Sequence, residues 1–119
     1  MALIRRAGEI RGARETAAGY RKVVSRVLAD QAQGCGDLTV RMLSIGPDGR
    51  LPREERGHLR VFVVIQGELL FMDGDGAVHL LGQGDVVVVR PRERHHFQNE
   101  SGSAARLLAA EIQEIQGRT

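Results

Sequence analysis

Short runs of aliphatic and aromatic residues alternate along this chain with tight turns that are rich in glycine. Runs of four to eight apolar residues between turn signals are typical of β-strands. Residues 37–44 predict a strand that ends at the turn Gly46-Pro47-Asp48-Gly49. Residues 60–72 are the longest candidate strand, with Gly67 as a bend or bulge inside it. We therefore predict that the chain is built from short strands from Gly34 onward.

The second half of the chain continues this pattern. The Asp-Gly pairs of residues 73–76 predict a hairpin that ends with residues 77–81. Further predicted elements are a turn at 82–85, a strand at 86–89, a corner at 91–94 and a strand at 95–100. Residues 104–115 fit a helix by propensity and a strand by their spacing from the other strands. We predict a strand there, up to about Gln113.

The first third of the chain gives a weaker pattern. Residues 20–28 fit a strand or a helix, and residues 29–36 are predicted as a loop. We expect an N-terminal extension over residues 1–36 with a possible first strand, and a barrel over residues 37–115, together forming a single domain. An all-β chain of this length protects its sheet edges by closing into a barrel or a double-sheet jelly roll.

Composition narrows the class of protein. With 119 residues, of which 42% are hydrophobic, the chain can bury one compact core. No segment approaches the roughly 20 consecutive apolar residues of a membrane helix, and residues 1–15 are too charged for a secretory leader. We expect a cytoplasmic protein without a membrane partner. The single cysteine, Cys35, allows no intrachain disulfide and is predicted to lie in a loop.

The charge pattern argues against nucleic-acid binding. The formal charge is +2 and is spread along the chain, whereas nucleic-acid binding calls for a clustered basic patch. Aromatic residues make up 3% of the chain, so platforms for base stacking are nearly absent.

One motif near the end of the chain carries a resemblance to a known family. Gly84, His95 and Asn99 fall at the spacings of the second cupin motif, although Arg90 holds the position of its proline and Pro91 follows. On a strand His95 and Asn99 share one face and His96 lies on the other, so we take His95 as the inward histidine. Over residues 38–112 the chain resembles the cupin superfamily, in particular its small RmlC-like members. The resemblance implies an all-β fold, a double-stranded β-helix or jelly-roll barrel.

The first cupin motif is degenerate in this sequence. The family has two histidines two residues apart, then a glutamate, then a glycine seven residues later. Anchoring on Gly67 places Arg60 at the glutamate and Glu54 and Arg56 at the histidine pair. A gap longer by one residue moves the pair to Arg53 and Glu55, which also contains no histidine. A guanidinium group has no lone pair to give a metal ion, so the usual metal site of the family is not expected here.

A rebuilt metal site is one alternative. If the strand extends backward from Arg60, the alternate positions back to Glu54 lie on one face, and Glu54, His58 and His95 could hold an ion. Such ligands suit zinc, iron, manganese or nickel. The chain would then be a metal-dependent oxygenase or isomerase.

The preferred hypothesis is a site for a small polar or anionic molecule in the barrel mouth. Arg56, Arg60, His95 and Asn99 would bind this ligand, because arginine pairs with carboxylate or phosphate in a bidentate manner. His95 could also act as an acid or base in a metal-free isomerase or epimerase. Whether the chain is an enzyme is left open. A third alternative is a structural or regulatory barrel without a ligand.

In that third alternative the positive charges of the arginines are neutralised by carboxylates of the same chain. Arg56 and Arg60 would pair with a carboxylate of Glu54, Glu55 or Glu93 and stiffen the mouth.

Two further expectations concern the surface. His96 and His79 are predicted as surface residues, and His79 has no evident partner in the sequence. Small jelly rolls often associate through edge strands, and the apolar segments 61–65 and 107–112 are candidates for such edges. We expect a homodimer.

Overall fold

The computed structural model of the chain describes residues 2–55 and 57–113. Within this part, ten β-strands are joined by turns and by two short 3-10 helices, Ala7–Glu9 and Gln31–Gln33. The strands are β1 (Ala13–Arg14), β2 (Arg21–Ala29), β3 (Leu38–Arg50), β4 (Glu54–Glu55), β5 (His58–Gln66), β6 (Leu69–Asp73), β7 (Val78–Leu81), β8 (Val86–Val89), β9 (Arg94–Gln98) and β10 (Ala105–Gln113). The prediction of an all-β chain is confirmed.

The strands form one curled antiparallel sheet, in the order β7-β6-β9-β3-β10-β5-β8. In addition β2 pairs with β3 and with the short β1, and β4 pairs with β9. The long strand β3 belongs to both halves of the sheet, because it pairs with β2 and β10 and reaches β9 at Arg50. The sheet therefore curls at β3, and its two halves face each other across the core.

The core is made from alternate residues of these strands. Phe62 and Val64 of β5 and Leu107 of β10 point inward and are almost fully buried. Phe97 of β9 lies between two other aromatic rings, 4.7 Å from Phe62 and 4.9 Å from Phe71 between ring centroids. Burying such side chains contributes about 1.5–3 kcal/mol each, so the inward positions supply most of the driving force for closing the sheet.

Two ambiguous segments are strands. The segment predicted as a strand up to Gln113 is β10, and it is hydrogen-bonded to β3 on one side and β5 on the other. Residues 20–28, which fitted a strand or a helix, lie largely in β2. Both are held by pairing with β3, and this tertiary contact outweighs the helix propensity of their leucines and alanines.

Two predicted boundaries are wrong. β3 does not end before Gly46 but continues to Arg50, and the extra residues bulge opposite Lys22 of β2. Asp48 takes a left-handed φ of 63° inside this bulge. The long candidate strand at 60–72 is split into β5 and β6 at Gly67, where φ is 82°. The loop predicted for residues 29–36 contains the short 3-10 helix Gln31–Gln33.

The predicted hairpin at residues 73–76 is confirmed. The Asp73 carboxylate accepts hydrogen bonds from the backbone N–H groups of Asp75 and Ala77, at 2.9 and 3.1 Å. The next turn is also confirmed, and there the Asp85 carboxylate accepts from the N–H of Gly82 at 2.8 Å. Aspartate side chains thus fix both turns by purely local chemistry.

The apolar segments 61–65 and 107–112 are not edge strands, which corrects the expectation from the sequence. They lie in β5 and β10, and each of these strands has a neighbour on both sides. Their backbone groups are therefore already used inside the sheet.

Neither 3-10 helix in the described part of the chain is long and apolar enough to cross a membrane.

Candidate functional site

Arg60, Glu54 and His95 meet inside the barrel. The short strand β4 pairs with β9 so that Glu54 lies opposite His95, and β5 directs Arg60 inward towards both. One guanidinium nitrogen of Arg60, Nη1, donates to Glu54 Oε2 at 2.6 Å and to His95 Nε2 at 2.9 Å. Arg60 is 8% exposed and His95 5%. The structure thus brings together Glu54 and His95 of the predicted metal site and Arg60 of the predicted ligand site.

The strand that was expected to run from Glu54 to Phe62 is interrupted. β4 ends at Glu55 and β5 begins at His58, so the two segments belong to different parts of the sheet. Glu54 reaches Arg60 across the barrel from its pairing with β9, not along a common strand.

A second carboxylate, that of Glu111, balances the charge of Arg60. Glu111 lies opposite Arg60 in the register of β10 and β5, and its Oε2 is 3.5 Å from Arg60 Nε. His58 Nδ1 contacts the other oxygen of Glu111. The guanidinium carbon of Arg60 also lies 4.7 Å from the centre of the Phe62 ring. A buried arginine between two carboxylates and an aromatic ring is an internally compensated charge.

The contacts of His95 define its tautomer. A guanidinium group only donates, so Nε2 of His95 accepts from Arg60 and carries no proton. Nδ1 then carries the proton and donates to the backbone carbonyl of Glu93 at 3.1 Å. His95 is thus held as a neutral imidazole whose Nε2 lone pair accepts from Arg60.

The residues present do not fit the metal ion that the resemblance implies. Arg60 lies between Glu54 and His95, and the Nε2 lone pair of His95 that would bind a metal accepts from Arg60 instead. His58, the third predicted ligand, contacts Glu111. Among residues 2–55 and 57–113 there is no group of three or more His, Cys, Asp or Glu side chains that could hold a metal ion.

The space between the two halves of the sheet is small and is lined by both polar and apolar side chains. It has a volume of about 20 Å³, which is room for about one water molecule. Besides Glu54, Arg60 and His95, its polar lining residues are Glu15, Tyr20, Ser25, Thr39, Arg41 and Glu111.

Several of these lining residues, above all Arg41 and Glu111, were not predicted from the sequence. A signal for Glu111 was present, because it follows Leu107 and Ala109 at the inward positions of β10 and is charged where its predecessors are apolar. Arg41 occupies the equivalent inward position in β3, two residues before the buried Leu43.

A larger groove opens beside this interior. It has a volume of about 360 Å³ and shares Glu54 and His95 with the interior space. The remaining lining residues are Arg53, Met72, Asp73, Gly74, Gly76, Arg94 and His96. Glu54 and His95 therefore form the boundary between the groove and the barrel interior.

His96 is not a surface residue, contrary to the prediction. It is 8% exposed, and its Nδ1 has no hydrogen-bond partner in the described part of the chain. Burial, and then the nearby charge of Arg53, lowers the pKa of His96 below its ordinary value. Both faces of β9 are therefore buried at this point, and alternation along the strand places only His95 in the lining of the barrel interior.

His79 is exposed, as predicted, but it has a partner. Its Nε2 lies 3.1 Å from Asp73 Oδ2, and this contact is the main reason why the pKa of Asp73 is lowered. The pair closes the β6–β7 hairpin next to the groove.

Two further predicted ligand-binding residues remain. Arg56 lies outside the described residues. Asn99 does not line the groove or the interior space. Its side-chain amide donates to the carbonyls of Ile45, Gly46 and Ser103, at 2.9, 3.1 and 2.9 Å. Asn99 therefore fastens the bulge of β3 to the loop that follows β9.

The fold and the motif spacing place this chain in a known family. The profile of the family described as "Cupin domain" matches residues 41–111. The chain therefore belongs to the cupin domain family, as the resemblance implied. No curated protein matches the sequence.

Solved structures agree with this assignment. The polyketide cyclase RemF from Streptomyces resistomycificus is similar with a TM-score of 0.87 at 19% identity, covering 96% of this chain and 81% of RemF. A predicted oxalate decarboxylase from Thermotoga maritima has a TM-score of 0.85 at 20% identity, covering 94% of this chain and 100% of that one. A sugar phosphate isomerase of the cupin superfamily from Silicibacter pomeroyi has a TM-score of 0.76 at 19% identity, covering 90% and 73%. At such identities the likeness concerns the fold, and the predicted jelly roll is confirmed.

Proposed function

We propose that this cupin binds a small polar molecule with an acidic group, in the groove at the mouth of the barrel. The observation that carries the proposal is the contact between the groove and the buried cluster, since Glu54 and His95 line both. A volume of about 360 Å³ lies within the usual range for small-molecule sites. A ligand in the groove would meet polar side chains that the barrel holds in fixed positions.

The charges of the groove favour an acidic group on the ligand. The carboxylates of the groove already have donors: Glu54 accepts from Arg60, and Asp73 accepts from two backbone N–H groups and contacts His79. Arg53 and Arg94 are exposed at the groove and add two cationic side chains. Guanidinium groups bind carboxylate and phosphate with paired hydrogen bonds.

The small interior space supports a ligand in the groove and not deep in the barrel. Room for about one water molecule is too little for a metabolite, so the ligand would contact Glu54 and His95 from the groove side. One similar structure is described as a sugar phosphate isomerase, and a sugar phosphate is a small polar molecule with an anionic group.

Thermal shift measurements with a panel of small carboxylic acids and sugar phosphates test this proposal, followed by calorimetry of each compound that stabilises the protein. For the carboxylic acids, the uncharged amides serve as matched compounds. We expect at least one acid to bind and its amide to bind at least about tenfold more weakly, because the amide loses the charge-assisted hydrogen bonds. The variants Arg53→Gln and Arg94→Gln should weaken binding of the acid by a similar factor.

Arg92→Gln is the matched control variant. Arg92 is exposed in the neighbouring corner and does not line the groove, so its removal should leave binding unchanged. The proposal fails if no compound of the panel binds. It also fails if the bound acid is indifferent to Arg53 and Arg94 or is weakened equally by Arg92→Gln.

A structural barrel without a ligand is the second candidate function. Two observations favour it. Arg60 pairs internally with Glu54, as that alternative predicts, and side chains nearly fill the barrel interior. The same panel distinguishes the two, since a structural barrel binds none of the compounds in the groove. A metal-dependent oxygenase or isomerase stays an alternative, but the donor arrangement around Arg60 does not support it.

A further inference from the structure

Strand β7 lies at one end of the sheet and is paired on one side only. Its four residues pair with β6, and the described part of the chain places no strand on its other side. Val78 and Leu80 are 56% and 67% exposed, so apolar side chains as well as backbone groups are open to a partner. Apart from its shortness, β7 has none of the usual protections of an edge strand, such as lysine, proline or a bulge. Another strand can therefore be added to β7.

An open pocket with a volume of about 230 Å³ lies beside this edge, on the outward face of β6 and β7. Phe71 points into the core, so its neighbour Leu70 points outward, and Leu70 is the direct cross-strand partner of Leu80. Both leucines line the pocket together with Glu68 and Glu100, which are exposed. We call this pocket the edge pocket; its remaining lining residues are Leu69 and Ser101.

The two carboxylates of the edge pocket have no cationic partner among residues 2–55 and 57–113. Glu100 accepts a hydrogen bond from the side-chain amide of Gln98 at 2.9 Å, which leaves its charge in place. Around them, residues 61–89 contain four aspartates and glutamates and no lysine or arginine, in a chain with 17 lysines and arginines. This end of the sheet is therefore acidic, although the whole chain has a formal charge of +2.

A lysine or arginine side chain matches an apolar floor with an acidic rim. Each has a long aliphatic stem that packs on apolar surface and a charged head that stays in water. The stem would cover Leu70 and Leu80 while the head meets Glu68 and Glu100. An added strand would lie about 4.8 Å beyond β7, and its residue opposite Leu80 would point to the same side as Leu80, next to the edge pocket.

We propose that β7 binds an extended segment of a partner protein as an added strand, with a lysine or arginine of that segment in the edge pocket. In this mode of recognition main-chain hydrogen bonds hold the segment, and pockets for alternate side chains select it. The edge pocket shares no residue with the groove at the barrel mouth, so the two sites can be tested separately.

Short random peptides displayed on phage and selected on the purified full-length chain test this surface. We expect the enriched sequences to carry a lysine or arginine among β-branched residues, and synthetic copies of them to bind in fluorescence anisotropy. Replacing the basic residue of such a peptide by methionine should weaken binding by about three- to tenfold, because the pairing with Glu68 and Glu100 is lost. In the double variant Glu68→Gln, Glu100→Gln this preference for the basic peptide should disappear.

Methylation of the peptide backbone tests strand addition itself. In an antiparallel pair, successive residues of a strand direct their N–H groups to opposite sides. Methylating alternate nitrogens of the peptide should therefore abolish binding in one register and change it little in the other. Glu68 and Glu100 are exposed, so the double variant should fold, which circular dichroism checks.

Glu9→Gln is the matched control variant. Glu9 is exposed in the first 3-10 helix and does not line the edge pocket, so this variant should bind the peptides like the wild type. The proposal is overturned if no peptide is enriched, if the enriched peptides lack a basic residue, or if both methylation registers bind equally. An equal loss of binding in Glu9→Gln would also overturn it.

A second copy of the chain on β7 would appear as peptide binding that weakens as the protein concentration rises, and it would overturn the choice of a partner protein. These outcomes are independent of whether an acid binds in the groove, because the two sites have different lining residues.

Discussion

Arg60 shows how the partners of a single residue define its role. In the sequence it stands where the cupin family has a glutamate, and its charge suggests an anion site. In the structure it donates to Glu54 and His95 and lies 3.5 Å from a Glu111 oxygen. The guanidinium group of Arg60 is thus already neutralised inside the barrel, which is why the proposed ligand is placed in the groove and not at Arg60.

Replacing Arg60 should therefore affect stability first. In Arg60→Met two carboxylates lose a buried partner, and breaking a buried ion pair from one side costs about 3–5 kcal/mol. Urea unfolding measures this change. Arg90→Met, at an exposed arginine of the corner before β9, should stay within about 0.5 kcal/mol of the wild type. An Arg60→Met variant as stable as the wild type would show that the cluster is not a compensated charge.

His96 gives the protein a pH dependence with a defined sign. Its folded pKa lies below the ordinary value of 6.5, because of burial first and Arg53 second. As the pH falls below about 6.5, the unfolded chain takes up a proton that the folded chain refuses, so the free energy of unfolding decreases. This loss begins near pH 6.5 and continues down to the lower, folded pKa.

The variant His96→Gln should flatten this part of the pH profile. The chain has four histidines, so the useful quantity is the difference in slope between wild type and variant, measured by urea unfolding between about pH 7.5 and about pH 5. His79→Gln, at the exposed histidine, serves for comparison. Equal slopes for the wild type and His96→Gln would contradict the assignment of this effect to His96.

At the scale of elements, glycines divide apolar runs that would otherwise continue. The break between β5 and β6 is at Gly67, whose φ of 82° favours glycine. A Cβ atom there would lie 3.0 Å from the Ala104 carbonyl oxygen and 3.1 Å from Ala105 Cα, at the start of β10. The break therefore permits a close approach of two chain segments as well as a change of direction.

A pair of variants separates the cost of backbone strain from the cost of crowding. Gly76 has a φ of 84°, and a Cβ atom there would meet nothing within 4 Å. Gly76→Ala should cost about 1 kcal/mol for backbone strain alone, and Gly67→Ala about 2–3 kcal/mol because crowding adds to the same strain. Thermal unfolding of both variants checks this order. Equal losses would show that the contact with Ala104 relaxes freely.

At the scale of the whole molecule, β10 holds the sheet together. It lies between β3 and β5, both of which come much earlier in the sequence. Without β10 the inner residues of these two strands would be open to water on one side. The sheet would also lose the strand that connects β3 to β5.

A chain that ends at residue 104 should therefore not fold cooperatively. We expect it to lack a sharp unfolding transition in circular dichroism and to give poorly dispersed amide signals in NMR, because β3 and β5 each lose a neighbour. Wild-type chain prepared in the same way is the reference. A cooperative transition in the shortened chain would show that the remaining strands form a sufficient core.

The sequence could predict features that rest on local chemistry. The hairpin at residues 73–76 and the turn at 82–85 followed from Asp and Gly spacing, and Asp73 and Asp85 do cap those turns. The Gly84–His95–Asn99 spacing identified the family. The Gly46–Gly49 segment had an equally strong turn signal, yet it is a bulge in β3, because Asn99 binds Ile45 and Gly46 from a distant part of the chain.

The sequence by itself determined the strand content, the family and the inward position of Arg60 and His95. Those follow from periodicity and spacing, which are properties of neighbouring residues. Only the tertiary structure decided that Glu111 faces Arg60, that His96 is buried and that the residues of the edge pocket meet. Each of these depends on the register between strands far apart in the chain, and that register is fixed only when the sheet closes around a common core.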